Sequence, residues 1–363
     1  MAAVARASRS AVSGLEAGVR GGMPVATRVR HRQRPRPAEV PRHAKLHSLP
    51  SVRRALVTGV SGQDGWYLAE LLRAEGYDVV GMVRDRSEPL PPGVSPIGGD
   101  LLDPASLRDA VESVRPHELY HLAAPTFVPA SWEDPTQTMA AIAGATATLL
   151  AAARRVDPGT RVWVATSSEV FGDAGESPQS EATPMRPRSP YGVAKLAAHG
   201  LVGAMRERFG LFACSGIAYN HESPRRPEHF LPRKVARGAA AISLGLQDEL
   251  VLGDLDAVRD WSHAADVVRA AWLGLRADEP GDYVIASGVG RTVRDLVAAA
   301  FAAVDLDWRE HVRVDPDLVR PPEPVALVGD PSRARERLGW EPRRSFEDLV
   351  EEMVAGDLAA LRR

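Results

Sequence analysis

R-A-L-V-T-G-V-S-G-Q-D-G, residues 54–65, joins a short apolar run to a glycine-rich turn. Strand character stops at Gly59, and Gly59, Gly62 and Gly65 recur at intervals of three before a helical pattern begins. Glycine permits a tight strand-to-helix turn and lets backbone approach a pyrophosphate. The helix that follows offers free N–H groups and the positive end of its dipole. Gln63 and Asp64 stand inside the same turn and join the three glycines as candidate cofactor contacts. Such turns serve many strands, so this one gains its weight from opening an alternating strand and helix pattern.

That pattern continues. Y-D-V-V-G-M-V, H-E-L-Y-H-L, R-V-W-V-A-T and L-F-A-C-S-G-I-A read as further strands, mostly apolar as strands covered on both faces should be. Between them, residues 65–75, 104–114, 136–155 and 191–209 read as helices. The alternation predicts an α/β fold with a Rossmann-type doubly wound parallel sheet. Beyond Asn220 the rhythm changes to Pro- and Arg-rich loops between shorter elements, closing with an amphipathic helix from about Phe346. This part is expected to form a smaller C-terminal α/β lobe over the carboxyl edge of the sheet, where ligands of such folds bind. The expected division is 1–51 as a disordered extension, 52–220 mainly as the dinucleotide-binding domain, and 221–363 mainly as the substrate lobe.

Composition narrows the function. The chain of 363 residues is 44% hydrophobic and carries a formal charge of -2, which argues against a nucleic-acid partner. Residues 1–50 hold ten Lys and Arg against two acids, leaving 35 basic and 45 acidic residues in the remainder. The Arg-rich segment R-V-R-H-R-Q-R-P-R-P reads as an unstructured extension, an organelle transit segment or an over-early start. No stretch approaches the roughly 20 apolar residues of a membrane span. The single cysteine, Cys214, excludes an internal disulfide and a cysteine-based metal cluster; it reads as a small core residue in a reducing, cytoplasmic setting. No metal site is expected.

The second strand ends in M-V-R-D-R-S. An acid here serves the ribose hydroxyls of NAD, whereas Arg accommodates the extra phosphate of NADP. Arg84 tilts the reading toward NADP and leaves NAD open, while Asp85 and Arg86 read equally as a solvated loop. In G-D-L-L-D, Asp100, with Leu101 beside it, is placed to accept from an adenine amino group, and Asp103 reads as a helix cap.

Two stretches carry the chemistry. A-T-S-S-E-V-F-G, residues 165–172, ends a strand in two hydroxyls and a carboxylate, Glu169. S-P-Y-G-V-A-K then sets Tyr191 and Lys195 four apart at a helix start, on one face. A neighbouring ammonium and the helix N-terminus are expected to lower the phenol's pKa, which would make Tyr191 a usable acid/base toward a sugar hydroxyl.

Together the glycine turn, the S-S-E strand end and Y-x-x-x-K resemble the extended short-chain dehydrogenase/reductase superfamily. T-G-V-S-G-Q-D-G-W-Y-L-A-E, R-S-P-Y-G-V-A-K, N-H-E-S-P-R-R, L-G-D-L-D-A-V-R-D-W and G-D-P-S-R-A-R-E-R-L-G-W most resemble the GDP-mannose 4,6-dehydratase family within it, over about residues 53–361. N-H-E-S-P-R-R and R-D-W discriminate, the other motifs being shared across nucleotide-sugar enzymes. The resemblance implies a nucleotide-sugar substrate, GDP-mannose, and assembly as a homodimer or homotetramer. It implies oxidation at C4 with Tyr191 removing the hydroxyl proton, loss of water across C5 and C6 with Glu169 as base, and return of hydride to C6. It gives Ser167 the C4 oxygen, and Lys195 the nicotinamide ribose as well as catalysis. His221 and Arg226 fall at cofactor positions. Leu122, Ala123 and Ala124 belong to the loop crossing the cofactor, and Thr126 in that loop lies near both cofactor and hexose. Asn220, Arg233, Lys234, Arg259, Arg320 and Glu323 are implied for the nucleotide-sugar, guanidinium groups suiting a diphosphate through paired hydrogen bonds.

The sequence also departs from that family. Its loop after the second strand is short, R-D-R-S-E-P-L-P-P-G-V, and lacks two adjacent arginines. Ser167 stands where threonine is usual, and Ile142 and Ala145 stand where a polar residue and glycine are expected. H-L-A-A-P-T-F-V-P resembles the related 4-keto reductases. A decarboxylase, a 4-epimerase or a 4-keto reductase of another nucleotide-hexose is the alternative enzyme reading; a non-catalytic dinucleotide sensor is the remote one, having little reason to keep Ser167, Glu169, Tyr191 and Lys195 together.

Overall fold

Successive residues of a strand face opposite ways, and here that alternation builds two cores on one sheet. The computed structural model describes residues 52–318 and 325–363; the extension expected at 1–51 and the candidates Arg320 and Glu323 lie outside them. Seven strands are all parallel: β1 (Arg54–Thr58), β2 (Asp78–Val83), β3 (Ser95–Gly98), β4 (Glu118–His121), β5 (Arg161–Ser167), β6 (Ala213–Ala218) and, after three strands of the smaller lobe, β10 (Asp282–Ile285). Their order is β10-β6-β5-β4-β1-β2-β3. On one face Ala55, Val57, Trp163 and Cys214 pack with Leu68 and Leu72 of α1 (Gln63–Ala74) and Val268 and Ala271 of α7 (Ala264–Gly274). On the other face Leu56, Leu119, Val162 and Val164 meet Leu107 and Val111 of α2 (Pro104–Val114) and Leu149 of α4 (Ala145–Val156). Each leucine or valine among them contributes roughly 1.5–3 kcal/mol by leaving water, and burial on both faces is why the strands read as continuous apolar runs. Cys214 is fully buried, and burial pushes its thiol up to about 11, as expected of a core residue.

The expected helix over 136–155 divides. A short helix α3 (Pro135–Met139) passes through a π-turn at Ala140–Gly144 into α4. The wider turn sets Ile142 into a small cluster with Tyr191, Ala194 and Ala198 of α5 (Pro190–Phe209). Apolar periodicity does not reveal a single residue of extra register. By length and composition alone the stretch Pro135–Val156 passes for a membrane span, contrary to the expectation above. Half of its most apolar window is buried, and it packs against α2 and α5 as a core helix.

The smaller lobe holds β7 (Asn220–Glu222), α6 (Leu231–Ser243), β8 (Leu250–Leu252), β9 (Val258–His263), β11 (Gly290–Thr292), α8 (Val293–Ala302), β12 (Val312–Val314) and α10 (Phe346–Leu361). Its strands form a mixed sheet, β11-β9-β7, and a parallel pair, β12-β8. Its core joins Val235, Ala239, Val297, Phe301, Leu349 and Met353 around Trp261. The chain returns to the large sheet in α7, β10 and α9 (Ser332–Leu338). Because β2 and β4 flank β1 on opposite sides, the sheet opens a crevice at its carboxyl ends, the place where such folds bind ligands.

Candidate active site

At the end of β1, Gly59 has φ +72, and a Cβ there would lie 2.9 Å from the Ala123 nitrogen. A Cβ on Gly65 would lie 2.1 Å from the Gly59 carbonyl oxygen. Both positions therefore exclude a side chain, and together they draw the turn tight against the strand-end loop Leu122–Ala124. The first turn of α1 has no side-chain cap, so its N–H groups stay available to an anion. This cradle fits a dinucleotide pyrophosphate.

The side chains of Gln63 and Asp64 brace this turn against the start of the smaller lobe. Gln63 donates through Nε2 to the His221 carbonyl at 3.0 Å and accepts from the Ser223 hydroxyl at 2.8 Å. Asp64 Oδ2 lies 2.8 Å from His221 Nε2, and His221 Nδ1 lies 2.6 Å from the Tyr219 carbonyl oxygen. With an acceptor at each ring nitrogen, the imidazolium satisfies both contacts. Burial works against charging this pair, yet their attraction and hydrogen bonds outweigh it, holding Asp64 below the usual carboxylate range and His221 above the usual imidazole range. His221 thus braces the turn. Arg226 is 3.1 Å from buried Glu222 and lies over the Phe230 ring at 3.6 Å.

Other cofactor candidates line the same carboxyl edge. Arg84 is exposed just past β2. Asp100 accepts from the Leu102 nitrogen at 2.9 Å, so one of its oxygens already closes its own turn beside Leu101. The Ala123 nitrogen donates to Thr58 Oγ1 at 3.1 Å, which fixes Leu122–Ala124; Ala124 is half-buried and Thr126, further along, is exposed. Asp103 caps α2 as expected, accepting from Ala105 at 2.9 Å.

The chemistry-bearing residues converge one strand away. β5 ends at Ser167, whose hydroxyl accepts from the Glu169 nitrogen at 3.3 Å, and Glu169 sits in a 3-10 turn, Ser168–Val170. Ser189 caps α5 by accepting from Gly192 at 3.0 Å, and Pro190 follows it as the first helical residue. Gly192 lets that helix start press on the Glu169 turn, since a Cβ there would stand 2.6 Å from the Glu169 carbonyl oxygen. Tyr191 and Lys195 are both buried, and the Ser167 hydroxyl lies near enough to the phenol to lower its pKa.

The electrostatics correct the expected phenol activation. Burial pushes Tyr191 up to about 12, with the Glu169 charge adding to it and the Ser167 hydroxyl only partly offsetting it. Burial lowers Lys195 to about 8; its ammonium donates to the Ala165 carbonyl at 2.7 Å and lies 5.7 Å from the Tyr191 ring centre. Sequence spacing put the cation near the phenol but could not weigh desolvation, to which Ile142 contributes by packing on the ring. The protonated phenol is the form this environment favours.

The proposed sugar-nucleotide contacts are less gathered. Asn220 heads β7, half-buried. Arg233 spends its guanidinium internally, on both oxygens of buried Asp357 at 2.7 Å and on the carbonyls of Pro224 and Arg226. Lys234 donates to the Val251 carbonyl at 2.8 Å on the surface. Arg259 is half-buried and donates to the Val258 carbonyl at 2.7 Å.

Asp260, the acid of R-D-W, has a role that no local spacing marks. This carboxylate is fully buried and accepts from the Ser287 nitrogen and hydroxyl at 2.8 and 2.6 Å, from Gly288 at 3.0 Å and from Gly329 at 3.2 Å. It ties two loops to the strand that carries Arg259. Asp260→Ala would remove the acceptor of four donors, of which the Gly329 nitrogen is buried, and its urea midpoint is expected to fall by the equivalent of about 2–3 kcal/mol. A midpoint unchanged within error would show the loops hold without it.

A sequence profile described as GDP-mannose 4,6 dehydratase matches residues 56–353. The chain is similar to GDP-mannose 4,6 dehydratase 1 of Arabidopsis thaliana, with 43% identity over 328 residues that span 85% of this chain and 91% of the relative. Among solved structures it is similar to RMD from Pseudomonas aeruginosa complexed with NADPH, at TM-score 0.73 and 26% identity over 85% of this chain and 100% of that one. It is also similar to the UDP-glucose 4-epimerase of Thermus thermophilus complexed with NAD, at TM-score 0.73 and 27% identity over 85% and 99%.

Proposed function

The chain belongs to the GDP-mannose 4,6-dehydratase family, and from that premise we propose how its own residues convert GDP-D-mannose to GDP-4-keto-6-deoxy-D-mannose. The observation that carries the reading is the meeting of Ser167, Glu169, Tyr191 and Lys195 at the carboxyl edge of one sheet, beside a glycine cradle. We take the cofactor to be NADP, with NAD able to replace it, held by the Gly59–Gly65 turn, Leu122–Ala124 and Lys195. When bound, the oxidised nicotinamide supplies a hydride acceptor with a positive ring charge, which the buried phenol otherwise lacks.

Ser167 orients the C4 hydroxyl of the hexose through the same hydroxyl that touches Tyr191. Tyr191 takes the C4 hydroxyl proton as the C4 hydride departs, and Lys195 supplies the nearby positive charge. The new ketone acidifies the C5 hydrogen. Glu169 then removes the C5 proton and passes a proton to the C6 hydroxyl, which leaves as water. Hydride is restored at C6, and the proton taken from the C4 hydroxyl balances the one returned to C5. The net change is loss of one water, with no consumption of reductant. Residues up to Asn220 mainly serve the cofactor, and those beyond mainly serve the nucleotide-sugar.

Incubating the full chain and NADP with GDP-, UDP-, CDP- and dTDP-hexoses tests this by mass. GDP-mannose is expected to lose the mass of water. Product from another nucleotide-hexose and none from GDP-mannose would overturn the substrate assignment.

A further inference from the structure

The short loop after β2 does more than connect strands. Glu88 reaches back from it to accept from the Ser61 hydroxyl at 2.7 Å, and Ser61 belongs to the glycine turn itself. The loop stiffens this reach: Glu88 donates through its backbone nitrogen to the Asp85 carbonyl at 3.1 Å, and the Asp85 carboxylate accepts from Ser87 at 2.9 Å. Ser61, Gly62, Glu88 and Pro89 line one cleft with Trp66 and Arg225. Arg86 lies at the end of β3, its guanidinium 3.8 Å from the position a Cβ on Gly98 would take.

In folds of this type the pyrophosphate rests on the glycine turn, and the adenosine ribose extends toward the end of the second strand. A bond from the loop after β2 to the turn therefore crosses the ribose end of the path, with a carboxylate at the crossing. A carboxylate there can accept from a free ribose hydroxyl but repels a phosphate esterified at the same oxygen. We infer that Glu88 sets cofactor selectivity, its carboxylate on Ser61 opposing the 2′-phosphate of NADP and thereby letting NAD compete. This rests on the reading of the glycine turn as the dinucleotide site.

The test is calorimetric binding of NADP and NAD to the full chain without sugar, so that turnover plays no part. Glu88→Gln keeps an oxygen for the Ser61 hydroxyl and removes only charge. It is expected to tighten NADP about fivefold or more, to leave NAD within about twofold, and to lose that gain as salt is raised. Glu88→Lys should extend the gain. Equal effects on both dinucleotides, no effect on NADP, or a gain indifferent to salt would each overturn the selectivity role while the site reading stands. If the unaltered chain binds neither dinucleotide, the site reading fails, and the role of Glu88 fails with it.

Discussion

Glu169→Gln is expected to lower turnover of GDP-mannose by about 10³-fold while the variant still binds dinucleotide and nucleotide-sugar, because general acid–base groups contribute roughly 10²–10⁴-fold. The amide is isosteric, and the contact that fixes the turn, from the Glu169 nitrogen to Ser167, uses backbone and survives. What disappears is the group able to take the C5 proton and deliver one to the C6 hydroxyl. In deuterated water the native enzyme should place deuterium at C5 of its product, whereas the variant should form deuterated, dehydrated sugar only at the same roughly 10³-fold reduced rate. Dehydration at an unchanged rate in this variant would remove Glu169 from the mechanism. An epimerase working at C4 alone has no need of such a base, so this result also separates the two chemistries.

Tyr191→Phe is expected to cost a similar factor, about 10³-fold, but at the earlier step. The ring is held by Ile142, Ala194 and Ala198, so the fold should keep its melting temperature and lose only the hydroxyl that touches Ser167. The two variants differ in a single-turnover experiment. Without Glu169 the C4 oxidation can still proceed and reduced nicotinamide can be seen by its absorbance; without the Tyr191 hydroxyl no such signal should form. Turnover of the phenylalanine variant within tenfold of the native rate would mean another group handles the C4 proton. The phenol is pushed up to about 12 in this environment, so its readiness as a base must come from charge delivered on binding rather than from Lys195 alone.

The sheet was legible because its strands are buried on both faces and its helices on one, which leaves two distinct periodicities in the sequence. β1 and α2 fall where the pattern places them, at 54–58 and 104–114. The candidate site was legible where residues share a local spacing: Tyr191 with Lys195 on one helical face, and Ser167 with Glu169 at one strand end. Features set by distant partners were not. Nothing near Arg233 shows that Asp357 will claim its Nε and Nη2 across 124 positions. Desolvation of Tyr191 depends on Ile142 arriving through a π-turn, and Asp260 gains its meaning only from Ser287, Gly288 and Gly329. Each of these is a pairing of one residue with a surface the chain builds later.

The bonds that brace the glycine turn bear on when the site comes into being. Gln63 meets the His221 carbonyl, Asp64 meets the His221 ring, and Gln63 meets Ser223, across 158, 157 and 160 positions of chain respectively. A ribosome that has released only the first three strands has produced the whole glycine motif and none of its buttress. Because such long loops must close before their contacts reward the closure, the turn that begins the fold is among the last parts of it to be finished. The motif at residues 59–65 is thus a local signature of a site that the chain assembles only after Ser223 has been made.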